Sequence, residues 1–81
     1  MIKNEIYERL NKVFQDVFDD ESIVVNENTT SADIEEWDSL EHINLVVAVE
    51  SEFGMKFTLG ETTSMKNVGE MVTIIANRAT K

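Results

Sequence analysis

Apolar side chains at Ile2, Ile6, Leu10, Val13, Phe14, Val17 and Phe18 follow one another at intervals of four, four, three, one, three and one residues. That is the spacing of one face of an α-helix, not of an alternating strand. A chain of 81 residues that opens on such a helix must cover its stripe with little material. At this length only about 60% of the unfolded surface can be removed from water. The chain has no cysteine and one histidine, so neither a disulfide framework nor a Cys-based metal site can supplement the core, and little is left for zinc. No thiolate nucleophile is encoded either. The core must come from apolar packing alone, for which an apolar fraction of 42% is sufficient.

Charge excludes whole classes of partner. Sixteen acidic side chains stand against seven basic ones, for a net charge of −9. Nucleic-acid binding relies on clustered Lys and Arg, and so does adhesion to anionic membranes. Neither is expected here. The longest apolar run, Leu45 to Val49, is far too short to span a bilayer. The stretch Met1-Ile2-Lys3-Asn4-Glu5 carries no apolar signal-peptide core. The expectation is a soluble, cytoplasmic, monomeric domain spanning residues 1–81, with acidic faces that attract basic partners.

There is no proline, no repeat and no low-complexity stretch to mark a linker. After the first helix, with Glu5–Arg9 and Glu8–Lys12 as i,i+4 pairs on its outer side, the period is lost from residue 19 to residue 37. This reads as a long loop pinned by Ile23, Val25 and Ile34. A loop of that length in so small a domain invites a functional or packing reason. Residues 38–53 contain strand-loving Ile43, Val46, Val47 and Val49, but length and end signals decide for helix. Asp38 with Glu41 three residues on is a capping-box pattern, and Gly54 supplies the stop. Helix two therefore runs from about Ser39 to Phe53. Phe57 and Leu59 are expected to anchor a connector, with at most a short helical turn over Glu61 to Met65. Asn67, followed by Glu70, caps a last helix carrying Val68, Met71, Val72, Ile75 and Ala79. The fold class is all-α: three principal helices, one short helix, and a long loop between helices one and two.

Helix two has two apolar sides. On a wheel of about 100° per residue with Leu40 at zero, Leu45, Val46, Val49 and Phe53 fall between about 140° and 240°, a normal core stripe. Leu40, Ile43 and Val47 fall near 0°, 300° and 340°, a second ridge with Glu36, Glu41 and Glu50 nearby. The helix is either wrapped on most sides or leaves this ridge partly exposed. An exposed apolar patch rimmed by charge usually marks a partner site, and the second reading is preferred. Ser39 stands at the first position of the helix, where free N–H groups and the dipole favour a phosphate ester. A serine there is far more often only a cap or first-turn residue.

The run Trp37-Asp38-Ser39-Leu40-Glu41-His42-Ile43, continuing to Leu45 and Glu50-Ser51-Glu52-Phe53-Gly54, resembles the acyl carrier protein family. In that family an Asp-Ser-Leu motif opens the second helix, and its serine carries 4′-phosphopantetheine. The resemblance covers nearly the whole chain. It implies Ser39 as the attachment serine, Asp38 as the preceding aspartate and helix cap, and Leu40, Ile43 and Val47 as contacts to partner enzymes. Glu41 and Glu50 match acidic recognition positions. Asn44 and Ser51 stand where housekeeping fatty-acid carriers usually have acids, and Trp37 resembles specialised carriers more. The implied function is a non-catalytic carrier that holds acyl groups as thioesters and delivers them to enzymes of fatty acid, polyketide or related lipid biosynthesis. The implied partners are a phosphopantetheinyl transferase and ketosynthases, acyltransferases or acyl ligases with basic docking patches. Two alternatives stay open: an aminoacyl or peptidyl carrier loaded by an adenylating enzyme, and an unmodified acidic helical interaction module.

Blander readings cover the remaining residues. Asp38, Ser39 and His42 do not make a hydrolase, because no Gly-x-Ser-x-Gly elbow or evident oxyanion hole accompanies them; no catalytic residue is expected. His42 is expected at the helix edge in a structural role, and Trp37 to pin the loop. Asp19-Asp20-Glu21 lacks EF-hand spacing and reads as a solvated helix end, so no metal is expected. Met55, Met65 and Met71 read as core fillers.

Overall fold

The stripe from Ile6 to Phe14 becomes the inner face of α1 (Lys3–Val17) in the computed structural model, which describes residues 2–81. Ile6, Leu10 and Phe14 are fully buried along it. They meet Leu45, Val49 and Phe53 of α2 (Ser39–Phe53) and Val68, Met71, Val72 and Ile75 of α4 (Val68–Arg78) in one core. A six-residue helix, α3 (Leu59–Ser64), lies between them with no buried residue of its own. The described residues contain helices and connections only, as the periodicity requires. Met55 and Met71 are buried and Met65 packs partly against the core.

The long loop is tied down rather than free. Asn11 Oδ1 accepts the Val25 N–H at 2.6 Å, and Gln15 Nε2 donates to the Ile23 carbonyl at 2.9 Å. Val25 and Ile34 are buried, and a single 3₁₀ turn over Ser31–Asp33 is closed by a Thr30/Asp33 capping box. At its middle the loop feeds the start of α4. The Val68 N–H donates to the Thr29 carbonyl at 2.9 Å and the Gly69 N–H to that of Glu27 at 3.0 Å. Gly69 is required by this approach, since a Cβ there would stand 2.9 Å from the Glu27 carbonyl oxygen.

Two features of the helix ends differ from the sequence expectation. Asp38 caps α2 by accepting the Glu41 N–H at 2.8 Å, but Glu41 does not close the box; its carboxylate takes the Asn44 amide at 3.0 Å instead. Besides the one at Thr30 and Asp33, a reciprocal box forms at Thr58 and Glu61, where it starts α3. Gly54 ends α2 in the left-handed region at φ 62°, as expected of a C-terminal stop.

Arg9 does more than support its own helix. Its Nε donates to Glu52 Oε2, its Nη2 to the Glu52 carbonyl and its Nη1 to the Lys81 carbonyl, each at 2.7 Å. The guanidinium also lies 4.5 Å from the centre of the Phe53 ring. The C-terminal segment is drawn over the same end of α2, with the Thr80 and Lys81 N–H groups donating to the Phe53 carbonyl at 2.9 and 3.1 Å. Partly shielded charge-assisted bonds of this kind count for more than surface pairs. Arg9→Met is expected to lower the unfolding free energy by ~1–2 kcal/mol in urea titrations, and Lys12→Met by under ~0.5 kcal/mol.

Arg78 in the last turn of α4 holds α3 by a fork of two hydrogen bonds to the Glu61 carboxylate. Chiefly for this reason, with help from the Thr58 backbone N–H, the Glu61 carboxyl is lowered from 4.5 to about 2. A carboxylate held below its unfolded value adds stability above pH 4.5 that disappears as the pH falls towards about 2. Wild type is therefore expected to melt above Glu61→Gln at pH 7, with the gap closing between pH 4.5 and 2 in thermal scans across that range.

Candidate functional site

The start of α2 is fixed from both sides. Behind it, Trp37 packs edge-on against Phe14, ring centres 5.3 Å apart at 81°, and touches Phe18 at 6.3 Å. Ahead of it, the Asp38 cap orients the first turn. Ser39, the first residue of α2, is left exposed at the positive end of the helix dipole. His42 is half-buried one turn on, at the edge of the helix as expected. Trp37 Nε1–H donates to its Nδ1 at 3.1 Å, and its Nε2 lies 2.8 Å from the Thr62 carbonyl oxygen of α3.

The two apolar sides of α2 separate as the wheel requires. Leu45, Val46, Val49 and Phe53 are buried. Leu40, Ile43 and Val47 remain 67%, 62% and 59% exposed. Leu59, expected to anchor the connector, is instead 82% exposed at the first position of α3; Phe57 takes the anchoring role, packing against the core. The Leu59 side chain therefore joins the apolar surface next to the ridge. The short turn expected over Glu61 to Met65 is a helix over Leu59–Ser64; the Thr58-x-x-Glu61 spacing, which sequence reasoning passed over, is the signal that marks its start.

The acids divide in a way the sequence does not disclose. Glu41 is half-exposed beside Asn44. Glu50 is turned to the connector: its side chain is only 15% exposed, Oε2 accepts the Phe57 N–H at 2.8 Å, and Lys56 Nζ lies 3.9 Å from Oε1. Glu36 is exposed. In the loop, Asp20 accepts both the N–H and the hydroxyl of Ser22, which lowers its carboxyl below the ordinary range. Among the described residues no group of three His, Cys, Asp or Glu side chains could hold a metal ion.

Between α2 and α3 runs a groove of ≈ 750 Å³. Ser39 and His42 stand along it, and Ile43, Val46, Val47, Leu59, Met65 and Met71 supply its apolar lining. Sequence reasoning missed the groove because it is made by the placing of α3, which has no apolar period of its own.

The solution NMR structure of a holo acyl carrier protein from Geobacter metallireducens matches this fold with a TM-score of 0.84. The two chains are 42% identical over 89% of this chain and 83% of that one. The chain belongs to the acyl carrier protein family. No protein-family model matches it, and a search of curated proteins returned no match. For this carrier protein the two sides of α2 should respond differently to truncation. Val49→Ala removes buried methyl groups and is expected to cost about 2 kcal/mol of unfolding free energy, whereas Val47→Ala stays within ~0.5 kcal/mol in the same denaturant titration.

Proposed function

We propose that this chain carries acyl groups on a 4′-phosphopantetheine arm attached to Ser39 and presents them to partner enzymes. The observation that supports this most is the position of Ser39: exposed, on the first turn of a capped 15-residue helix, at the edge of a partly apolar groove. The site suits such a group. The Ser39 hydroxyl would take the phosphodiester, and the free N–H groups of the first turn face its negative charge. Asp38 keeps its carboxylate on the Glu41 N–H, which holds the cap in place beside the ester. When bound, the arm supplies a thiol that holds acyl groups as thioesters. The protein supplies attachment, orientation and electrostatics, and no catalytic group of its own. The named structural relative is in the holo form, which agrees with a modified serine.

Leu40, Ile43 and Val47 form the contact ridge for partners, with Glu41 at its edge and Glu36 nearby. Glu50, engaged with the Phe57 N–H and Lys56, contributes to the fold first and to any partner second. The net charge of −9 suits partners with basic patches around an apolar docking surface. These are a phosphopantetheinyl transferase, followed by ketosynthases, acyltransferases or acyl ligases of fatty acid, polyketide or related lipid biosynthesis. No described helix is long and apolar enough to cross a membrane.

The intact mass of the protein after incubation with a phosphopantetheinyl transferase and coenzyme A tests this reading. Wild type is expected to gain one phosphopantetheinyl group and Ser39→Ala none. A wild type that stays unmodified is an acidic interaction module, and a gain that survives Ser39→Ala moves the attachment elsewhere. Charging of the modified protein by an amino-acid-adenylating enzyme in preference to an acyl ligase points to an aminoacyl carrier.

A further inference from the structure

We propose that His42 is a positioning residue: it latches α3 to α2 and thereby sets how the groove beside Ser39 receives what is attached there. The second half of this proposal rests on the carrier reading; the latch does not.

The hydrogen-bond chemistry of the ring leaves one arrangement. An indole N–H can only donate, so the Trp37 contact at 3.1 Å requires a lone pair on His42 Nδ1. A backbone carbonyl can only accept, so the Thr62 contact at 2.8 Å requires the ring proton on Nε2. The neutral imidazole with its proton on Nε2 satisfies both. Trp37 also stacks on the ring, centres 6.0 Å apart at 27°, while it makes a T-shaped contact with Phe14, which is fully buried in the core. A continuous chain of contacts therefore runs from Phe14 through Trp37 and His42 to the backbone of α3.

That helix has little else to hold it on the α2 side. None of its six residues is buried. Its capping box lies within its own segment, and the Arg78 fork ties it to α4. The bond from His42 is the hydrogen bond that crosses from α2 to α3 among the described residues. Thr62 and His42 both line the groove, so the latch and the wall it positions belong to one surface. Loss of the latch would free the wall without emptying the core.

Backbone amide exchange measured by NMR on the unmodified chain decides the latch. In His42→Ala the Thr62 amide of α3 and the Met65 amide that caps its end on the Glu61 carbonyl should exchange about five- to tenfold faster, the loss of one ordinary hydrogen bond. Leu10 in α1 and Ile75 in α4 should change by under about twofold. His42→Gln extends an amide donor far enough for the Thr62 carbonyl and should restore α3 protection. His42→Asn keeps an acceptor near Trp37 but falls short of Thr62, so it should preserve the indole N–H signal and leave α3 fast. Unchanged α3 exchange in the alanine variant, or equal acceleration of all four amides, overturns the latch; should that variant not fold, the Gln and Asn variants decide, and equal α3 exchange in the two overturns it. On protein charged with an octanoyl thioester, hydroxylamine should cleave the His42→Ala form faster than wild type, with His42→Gln close to wild type. Equal cleavage rates overturn the positioning role at the groove. A wild type that takes no arm defeats the carrier reading, and with it this second half, while the amide exchange still decides the latch.

Discussion

The placement of Trp37 against Phe14 governs the end of the molecule that carries Ser39. The connection between Val17 and Ser39 must end at a defined point if α2 is to begin at a defined point, and the indole packed on Phe14 and Phe18 provides it. With Trp37 fixed, Asp38 is in position to cap the helix and Ser39 has no route but outward. The register of α2 follows from that start, so its core stripe meets α1 and α4 and its second stripe does not. An aromatic contact in the core thus determines which side chains of α2 reach solvent.

Periodicity made much of this legible. The stripes of α1 and α4, the Gly54 stop and the double character of α2 depend on neighbours within a turn or two, and such local relations are written into the order of residues. A few local details escaped, such as the box at Thr58 and Glu61 and the exposure of Leu59, but most of what escaped is long-range. Arg9 reads as an i,i+4 partner of Glu5, yet it reaches Glu52 and the Lys81 carbonyl. Glu50 reads as a surface acid, yet its carboxylate closes the connector after α2. Glu61 reads as one more solvated acid and is the anchor of α3. A carboxylate on a helix looks the same in sequence whether the third dimension gives it a partner or water. The candidate site divides in the same way: Ser39, its cap and the ridge were legible, whereas the groove and the Trp37–His42–Thr62 chain needed α3 to be placed.

The few basic residues are distributed to purpose. Arg9, Lys56 and Arg78 lie beside Glu52, Glu50 and Glu61, all at the C-terminal half of α2 or along α3. These pairs fasten segment to segment: Arg9 joins α1 to the end of α2 over the buried Phe53 ring, Lys56 lies across the connector from Glu50, and Arg78 joins α4 to α3. They leave the net charge of −9 as it is, and its repulsion is moderated only by salt over a Debye length of about 8 Å at physiological ionic strength.

A helix without a buried side chain has an evolutionary consequence. Substitutions at exposed positions such as Leu59, Gly60, Thr63 and Ser64 disturb no core packing, and nothing lies within 4 Å of where a Gly60 side chain would begin. Changes of this kind are usually close to neutral for stability. One wall of the groove can therefore drift in size and polarity while the rest of the bundle stays under packing constraint. Variation among close relatives should concentrate there, and a lineage can reshape the groove through a handful of mutations in α3 without first passing through an unstable intermediate.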